Sequence, residues 1–343
     1  AVMILLFIPI SIMAHLAEQI GKMQDNEAPL NEIIEYFGNF TIYIGSQLLP
    51  ICLFLSIIFF TSKLASNTEI VAILSSGVSY GRFLRPYLIG ASIVAALMFV
   101  MGMYLVPKAS LGFNEFKFKY FKRGGAERVT ENIFTQLNKN DFIYVSSFDP
   151  ARQMGYNFTF ERFDDDNNLK FKMAATNIRW IEDDTLYRLT NYKKRSITDS
   201  IEIVQTKRRL DTLFNFKIDD LTPVSYVAET KNLVELNKFI KDQREKGASN
   251  INRYVLVKYK RWALPISAFI LTIIAVAVSS VKRRGGMGIN LAFGIFVAFI
   301  FIFFDRVFGT LAEQSGFSPI LAVVIPNVFF GLLAFYLLQR AKR

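Results

Sequence analysis

The chain has 343 residues, 52% hydrophobic and 20% charged, with a formal net charge of +11. A single cysteine, Cys52, excludes an intrachain disulfide and reads as a buried structural thiol; a single histidine, His15, leaves no histidine cluster for zinc. The positive charge invites a nucleic-acid partner, but many basic residues flank apolar runs, where membrane topology accounts for them, so no nucleic acid is expected.

Residues 1–14 are apolar, short of the roughly 20 that a membrane span needs. No basic segment precedes them to make a signal peptide, and the natural start of the protein is expected upstream. Residues 15–39 are polar and acidic; within them Ile33, Ile34 and Phe37 predict a short helix on the membrane surface. Residues 40–64 form the second span, with Pro50 as a tolerated kink.

The stretch SNTEIVAILSSGVSYG, residues 66–81, is only half apolar. Ser66 and Glu69 fit a capping box, and Ile70, Ile73 and Leu74 recur at helical spacing. Gly77 stands where a left-handed residue ends a helix. The pattern predicts a helix of about three turns, too short to cross a bilayer. The third span follows at 86–106, closed by Pro107.

From 108 to 260 the character changes. FIYVSSF (142–148), YNFTFERF (156–163), LKFKMAATNIRW (169–180) and LYRLTNY (186–192) read as strands separated by turn clusters. The cluster Asp164-Asp165-Asp166-Asn167-Asn168 lacks the spacing of a calcium loop and reads as a solvated turn. Short strands at this spacing suggest a β-sandwich or jelly roll. Residues 230–246 then predict an amphipathic helix with Leu233, Leu236, Phe239 and Ile240 on one face, stopped by Gly247. The fourth span is 262–281, followed by the basic turn Lys282-Arg283-Arg284-Gly285-Gly286. Residues 289–304 and 319–338 complete six spans.

The expected fold is therefore a polytopic α-helical membrane protein, three spans plus three, with an inserted periplasmic β-jelly-roll domain. The expected boundaries are 1–107 for spans one to three with the short helix at 66–81, 108–260 for the β-domain and connecting helix, and 261–343 for spans four to six. One set of loops and the tail hold Lys63, Arg82, Arg85, Lys282, Arg283, Arg284, Arg340, Lys342 and Arg343; the other loops hold only Lys22 and Arg306. The positive-inside rule makes the first set cytoplasmic and the β-domain periplasmic.

No GxxxxGK[ST], HExxH or CxxC occurs, so neither enzymatic activity nor a cofactor is expected. Two features remain. The short cytoplasmic helix is either a plain connector or an element that docks on a soluble partner. Lys108, Lys117, Lys119, Lys122 and Arg123 follow the third span, and Lys258, Lys260 and Arg261 precede the fourth. They either snorkel to headgroups or bind an anionic, phosphorylated lipid.

NTEIVAILSSGVS resembles the coupling helix of the LptF/LptG (YjgP/YjgQ) lipopolysaccharide-transport permeases. YKRWALPISAFI at the fourth span, the VKRRGG turn and VFGTLAEQSGFSPILAVVIPN before the sixth resemble the same family, the last favouring the LptG branch. The resemblance covers almost the whole chain. It implies a permease subunit of an ATP-driven ABC-type transporter that takes lipopolysaccharide from the outer leaflet of the inner membrane to a jelly-roll bridge. The implied partners are a cytoplasmic, LptB-like ATPase dimer, a second permease (LptF-like or identical), LptC-like or LptA-like jelly-roll proteins, and lipopolysaccharide. It assigns ATPase coupling to Glu69, Ile70, Ile73, Leu74, Ser76 and Gly77. It assigns lipid contact to Lys108, Lys258, Lys260 and Arg261, with Lys22 alone representing the basic residues near the outer end of span one. The alternatives are another, mechanotransmitting ATPase-coupled permease, or a membrane-anchored scaffold whose β-domain binds a periplasmic partner.

Overall fold

The computed structural model describes residues 2–121, 131–149, 152–166, 168–182, 186–198, 201–214, 216, 226–248, 251–281 and 286–341. Lys122, Arg123, Asn167, Lys282, Arg283, Arg284, Gly285, Lys342 and Arg343 lie outside the described residues. The chain divides into two compact units, one of Ala1–Phe113 with Asn252–Arg343, the other of Asn114–Ile251.

In hydrocarbon every backbone polar group must find its partner within the chain, so long apolar runs fold as helices. Among the described residues, six helical segments are long and apolar enough to cross a membrane, three on each side of an inserted β unit. They are built from α1 (Val2–Asp25), α2 (Leu30–Ser66), α4 (Tyr80–Val100) continued by α5 (Val106–Phe116), α8 (Ile251–Ser279), α9 (Gly286–Gln314) and α10 (Pro319–Ala341). Between α2 and α4 lies the short α3, Glu69–Ser75. Phe54, Ile58, Ile70, Phe83, Leu271, Ile274, Val276 and Phe330 belong to one buried cluster joining α2, α3, α4, α8 and α10. Cys52 is buried, as expected of a structural thiol.

Several expected ends move. Helix α1 continues past the apolar run to Asp25, because each added residue closes another backbone hydrogen bond once a helix exists. The surface helix expected around Ile33, Ile34 and Phe37 is the beginning of α2, 37 residues long. Pro107 does not close the third span. Met101–Leu105 is a π turn in which the Val106 N–H donates to the Met101 carbonyl. That widening accommodates the proline ring, which would otherwise strike the carbonyl four residues back. The helical segment runs on to Phe121.

Among the described residues, the β unit holds a six-stranded antiparallel sheet in sequential order, consistent with a jelly roll. Its strands are β1 (Glu131–Gln136), β2 (Asp141–Asp149), β3 (Met154–Phe163), β4 (Leu169–Glu182), β5 (Leu186–Thr198) and β6 (Ile201–Leu213). β2 to β5 contain the four expected strands. β1 and β6 were not expected, since ENIFTQ and IEIVQTKRRLDTL carry too many polar residues to announce a half-buried strand. One face carries the core: Ile133, Ile143, Phe158, Phe160, Ile178 and Leu189 are buried with Phe216. Tyr187 donates its hydroxyl to the Phe216 carbonyl at 3.0 Å.

The inward-facing set changes phase along one line across four strands. Buried residues step by three, not two, from Val145 to Phe148, Gly155 to Phe158, Ala175 to Ile178 and Leu189 to Tyr192. Asn157 and Asn191 lie on this line at φ of 51° and 52°, the left-handed region that asparagine tolerates better than most residues. Asn157 Nδ2 donates to Ser146 Oγ at 3.0 Å and Asn191 Nδ2 to Thr176 Oγ1 at 3.3 Å. The line is a crease, and pairing keeps one register on either side of it.

After a short α6 (Val227–Thr230), α7 (Leu233–Glu245) is the expected amphipathic helix. Leu236 and Ile240 are buried, and Gly247, at φ +65°, follows its end. Asn232 and Glu235 form a reciprocal capping box with hydrogen bonds of 2.9 and 3.0 Å.

Candidate functional site

At the α3 end the expected capping box is absent. Ser66 is the last residue of α2, and its backbone is already committed to that helix. Thr68, at φ +61°, is the residue before α3, and no side chain caps it. Glu69 is exposed and accepts a hydrogen bond from Asn67 Nδ2 at 3.0 Å. The helix has seven residues, about two turns instead of three. It ends as the sequence predicts: Gly77 adopts φ +88° and its N–H bonds the Leu74 carbonyl.

The apolar residues of α3 do not act together. Ile70 is 1% exposed and packs in the chain's own core, and Leu74 is partly buried against the same cluster. Ile70 is therefore an anchor, not the contact surface that an outward apolar stripe would supply. Val71, 55% exposed, and Ile73, 37% exposed, present the apolar surface instead, beside exposed Glu69 and Ser76. Such a surface on a helix fixed from behind can bind a groove without first ordering itself, which removes part of the entropic cost of association.

The basic residues expected to contact lipid fall in different settings. Lys22, on α1, is exposed and donates to Gln19 Oε1 at 3.1 Å. Lys108, on α5, is exposed. Near them His15, Tyr36, Phe40 and Phe113 form an aromatic cluster joining α1, α2 and α5. His15 Nε2 lies 2.5 Å from the Tyr36 hydroxyl, and its ring stacks on Phe40 with centroids 4.6 Å apart.

On α8, Lys258 is half-buried with its ammonium 5.9 Å from the Tyr259 ring centroid. Lys260 pairs with Asp305 of α9 at 2.8 Å. Gly309 is four residues beyond Asp305 on the same helix face, and a Cβ there would stand 3.3 Å from the Lys260 ammonium. The glycine leaves room for the pair. Arg261 is buried within its unit. Lys22, Lys108 and Lys258 are thus the more accessible cations of the set. Asp305 and Gly309 are partners that the sequence reading missed, because no local pattern connects Lys260 to a carboxylate 45 residues away.

The chain matches the family described as "Lipopolysaccharide export system permease LptF/LptG" over residues 1–340. It belongs to that family. The lipopolysaccharide export system permease protein LptG of Escherichia coli (strain K12) is 20% identical over 293 residues, covering 85% of this chain and 81% of that protein. LptG of Haemophilus influenzae is 20% identical over 295 residues, with the same coverage of each chain. The chain is thus LptG-like within LptF/LptG, as the residues before the sixth span suggested, and a multi-pass membrane protein.

Proposed function

We propose that this LptF/LptG permease is the membrane subunit of an ATP-driven transporter in the inner membrane. It draws lipopolysaccharide from the outer leaflet and passes it through its periplasmic β unit to LptC-like or LptA-like jelly-roll proteins. Hydrolysis belongs to a separate, LptB-like cytoplasmic ATPase, and a second permease, LptF-like or identical, completes the pair. Lys22, Lys108 and Lys258 contact lipid phosphates, while Lys260 is held by Asp305 of α9 and Arg261 is buried within its unit.

The observation that carries this reading is α3: a short helix pinned by Ile70, with Glu69, Val71, Ile73 and Ser76 facing outward. Burying Val71 and Ile73 in a partner groove contributes roughly 1.5–3 kcal/mol each, and the Glu69 carboxylate orients the helix against a basic residue.

The test is copurification with the ATPase, followed by ATP-driven release of lipopolysaccharide from proteoliposomes. Val71→Asp with Ile73→Asp should abolish copurification while the chain still inserts. Glu69→Gln keeps the oxygen that Asn67 contacts but loses the charge, so Glu69→Gln and Glu69→Ala should both lose transport. Normal transport by Glu69→Gln would remove Glu69 from the mechanism, and an intact complex in the double aspartate variant would remove α3.

A further inference from the structure

A second feature at the α3 end concerns lipid that is not cargo. A groove of about 650 Å³ runs between α2 and α4 and reaches α3. Leu53 and Phe60 form one wall, Gly90 and Val94 the other, and Ile73 of α3 closes one end. Among the described residues, Arg82 is the one charged residue lining it, at the same end as Ile73.

Three observations select the occupant. The first is length. From Arg82 to Val94 the helical rise is about 18 Å, close to one leaflet's share, about 15 Å, of a hydrocarbon core. The second is shape. Gly90 leaves open space where a side chain would stand, with nothing within 4 Å of an added Cβ, so a side chain there would enter the groove.

The third is charge. Arg82 is exposed and has no carboxylate partner among the described residues. Arg85, three residues on, and Lys63, in the last turn of α2, are also exposed. A slot one acyl chain long with a guanidinium at its headgroup end complements an anionic amphiphile.

We propose that this groove binds one acyl chain of an anionic glycerophospholipid from the leaflet at the α3 end, with Arg82 on the phosphate and the chain against Ile73. The lipid then touches α3, α2 and α4 together. It acts as a fixed wedge behind the connecting helix and shares Ile73 with the face that α3 presents to a partner.

The full chain in phosphatidylcholine nanodiscs provides the test. Trace phosphatidylglycerol or phosphatidylcholine carries a diazirine near the acyl terminus, and labelled peptides are located by mass spectrometry after irradiation. Phosphatidylglycerol should label α2 and α4 at the groove about tenfold more than phosphatidylcholine, whose phosphate is the same but whose choline cation is repelled by Arg82, Arg85 and Lys63. Labelling at exposed Ile93, on the outer face of α4, should not distinguish the probes and serves as the reference.

Arg82→Gln should bring the phosphatidylglycerol signal down to the phosphatidylcholine level. Gly90→Leu should remove groove labelling by both probes, since leucine fills the slot and is a better helix former than glycine. Equal labelling by the two probes, groove labelling that survives Gly90→Leu, or no groove labelling by either probe in the unsubstituted chain would each overturn the proposal. None of these readouts depends on transport or on the ATPase.

Discussion

Helices α3 and α7 begin with the same local cue and end up held by different forces. Ser66-Asn67-Thr68-Glu69 and Asn232-Leu233-Val234-Glu235 both place a capping side chain three residues before a glutamate. At α7 both hydrogen bonds of the box form. At α3 neither forms, because Ser66 still belongs to α2 and the chain turns through Thr68 in a left-handed conformation. What holds α3 is Ile70, inserted in the core of the membrane unit. The difference shows that a cap is available only to a residue whose backbone is free to leave helical geometry. A short helix hung from the end of a long one must rely on tertiary burial instead.

The comparison breaks most sharply at Ile70. Ile70→Ala removes the buried anchor and should cost about 2–5 kcal/mol. Hydrogen exchange in nanodiscs should show α3 amides losing protection, while α7 stays protected. Retained protection in α3 would mean that something other than Ile70 holds it.

The next effect tests the polar side of the comparison. In the β unit, Arg162 grips the buried carboxylate of Asp141 through two hydrogen bonds, 2.6 and 2.8 Å. Burial pushes the Asp141 carboxyl up, but the bonds from Arg162 and Asn138 outweigh it and hold its pKa below the usual value. A depressed folded-state pKa means stability is present above the unfolded value, about 3.9. It is lost as pH falls through the folded value. Asp141→Asn should cost about 2 kcal/mol at neutral pH, read as faster exchange in β2 and β3. It should also remove this acid-dependent part of the loss.

Smaller still is the cap itself. Asn232→Ala should lower the local stability of α7 by about 1 kcal/mol. Ser66→Ala, by contrast, should change α3 by less than about 0.5 kcal/mol, as for a surface residue without a special role. Equal effects of the two substitutions on the amides of their helices would restore the capping box at α3 and undo the contrast.

The parts legible in the sequence were those written in local pattern. The apolar blocks announced the spans, Gly77 and Gly247 marked helix ends, and the aromatic and β-branched runs marked β2 to β5. The helix ends that moved did so because continuation is cheaper than termination once a helix is under way: α1 passes through His15, and a π turn carries the chain past Pro107. β1 and β6 were hidden because their pairing partners, not their own alternation, make them strands.

In the candidate site, the exposure of Glu69 and Ser76 follows from their polarity. The inward turn of Ile70 and the outward turn of Val71 depend on how α3 leaves α2. The Lys260–Asp305 pair likewise depends on two helices meeting, which no window along the chain contains.

The crease in the β unit constrains how such a sheet can change length over evolution. In an ordinary strand, inserting one residue exchanges its two faces beyond that point. Here four strands already carry such an exchange, at matching positions. A deletion that straightened β3 alone at Asn157 would leave its outer half facing opposite to β2 and β4. β2 through β5 therefore behave as a set that tolerates change at the crease only together. Single-residue length variation among related chains belongs in the connections between strands, and a relative that lost the crease in one strand would have lost it in all four.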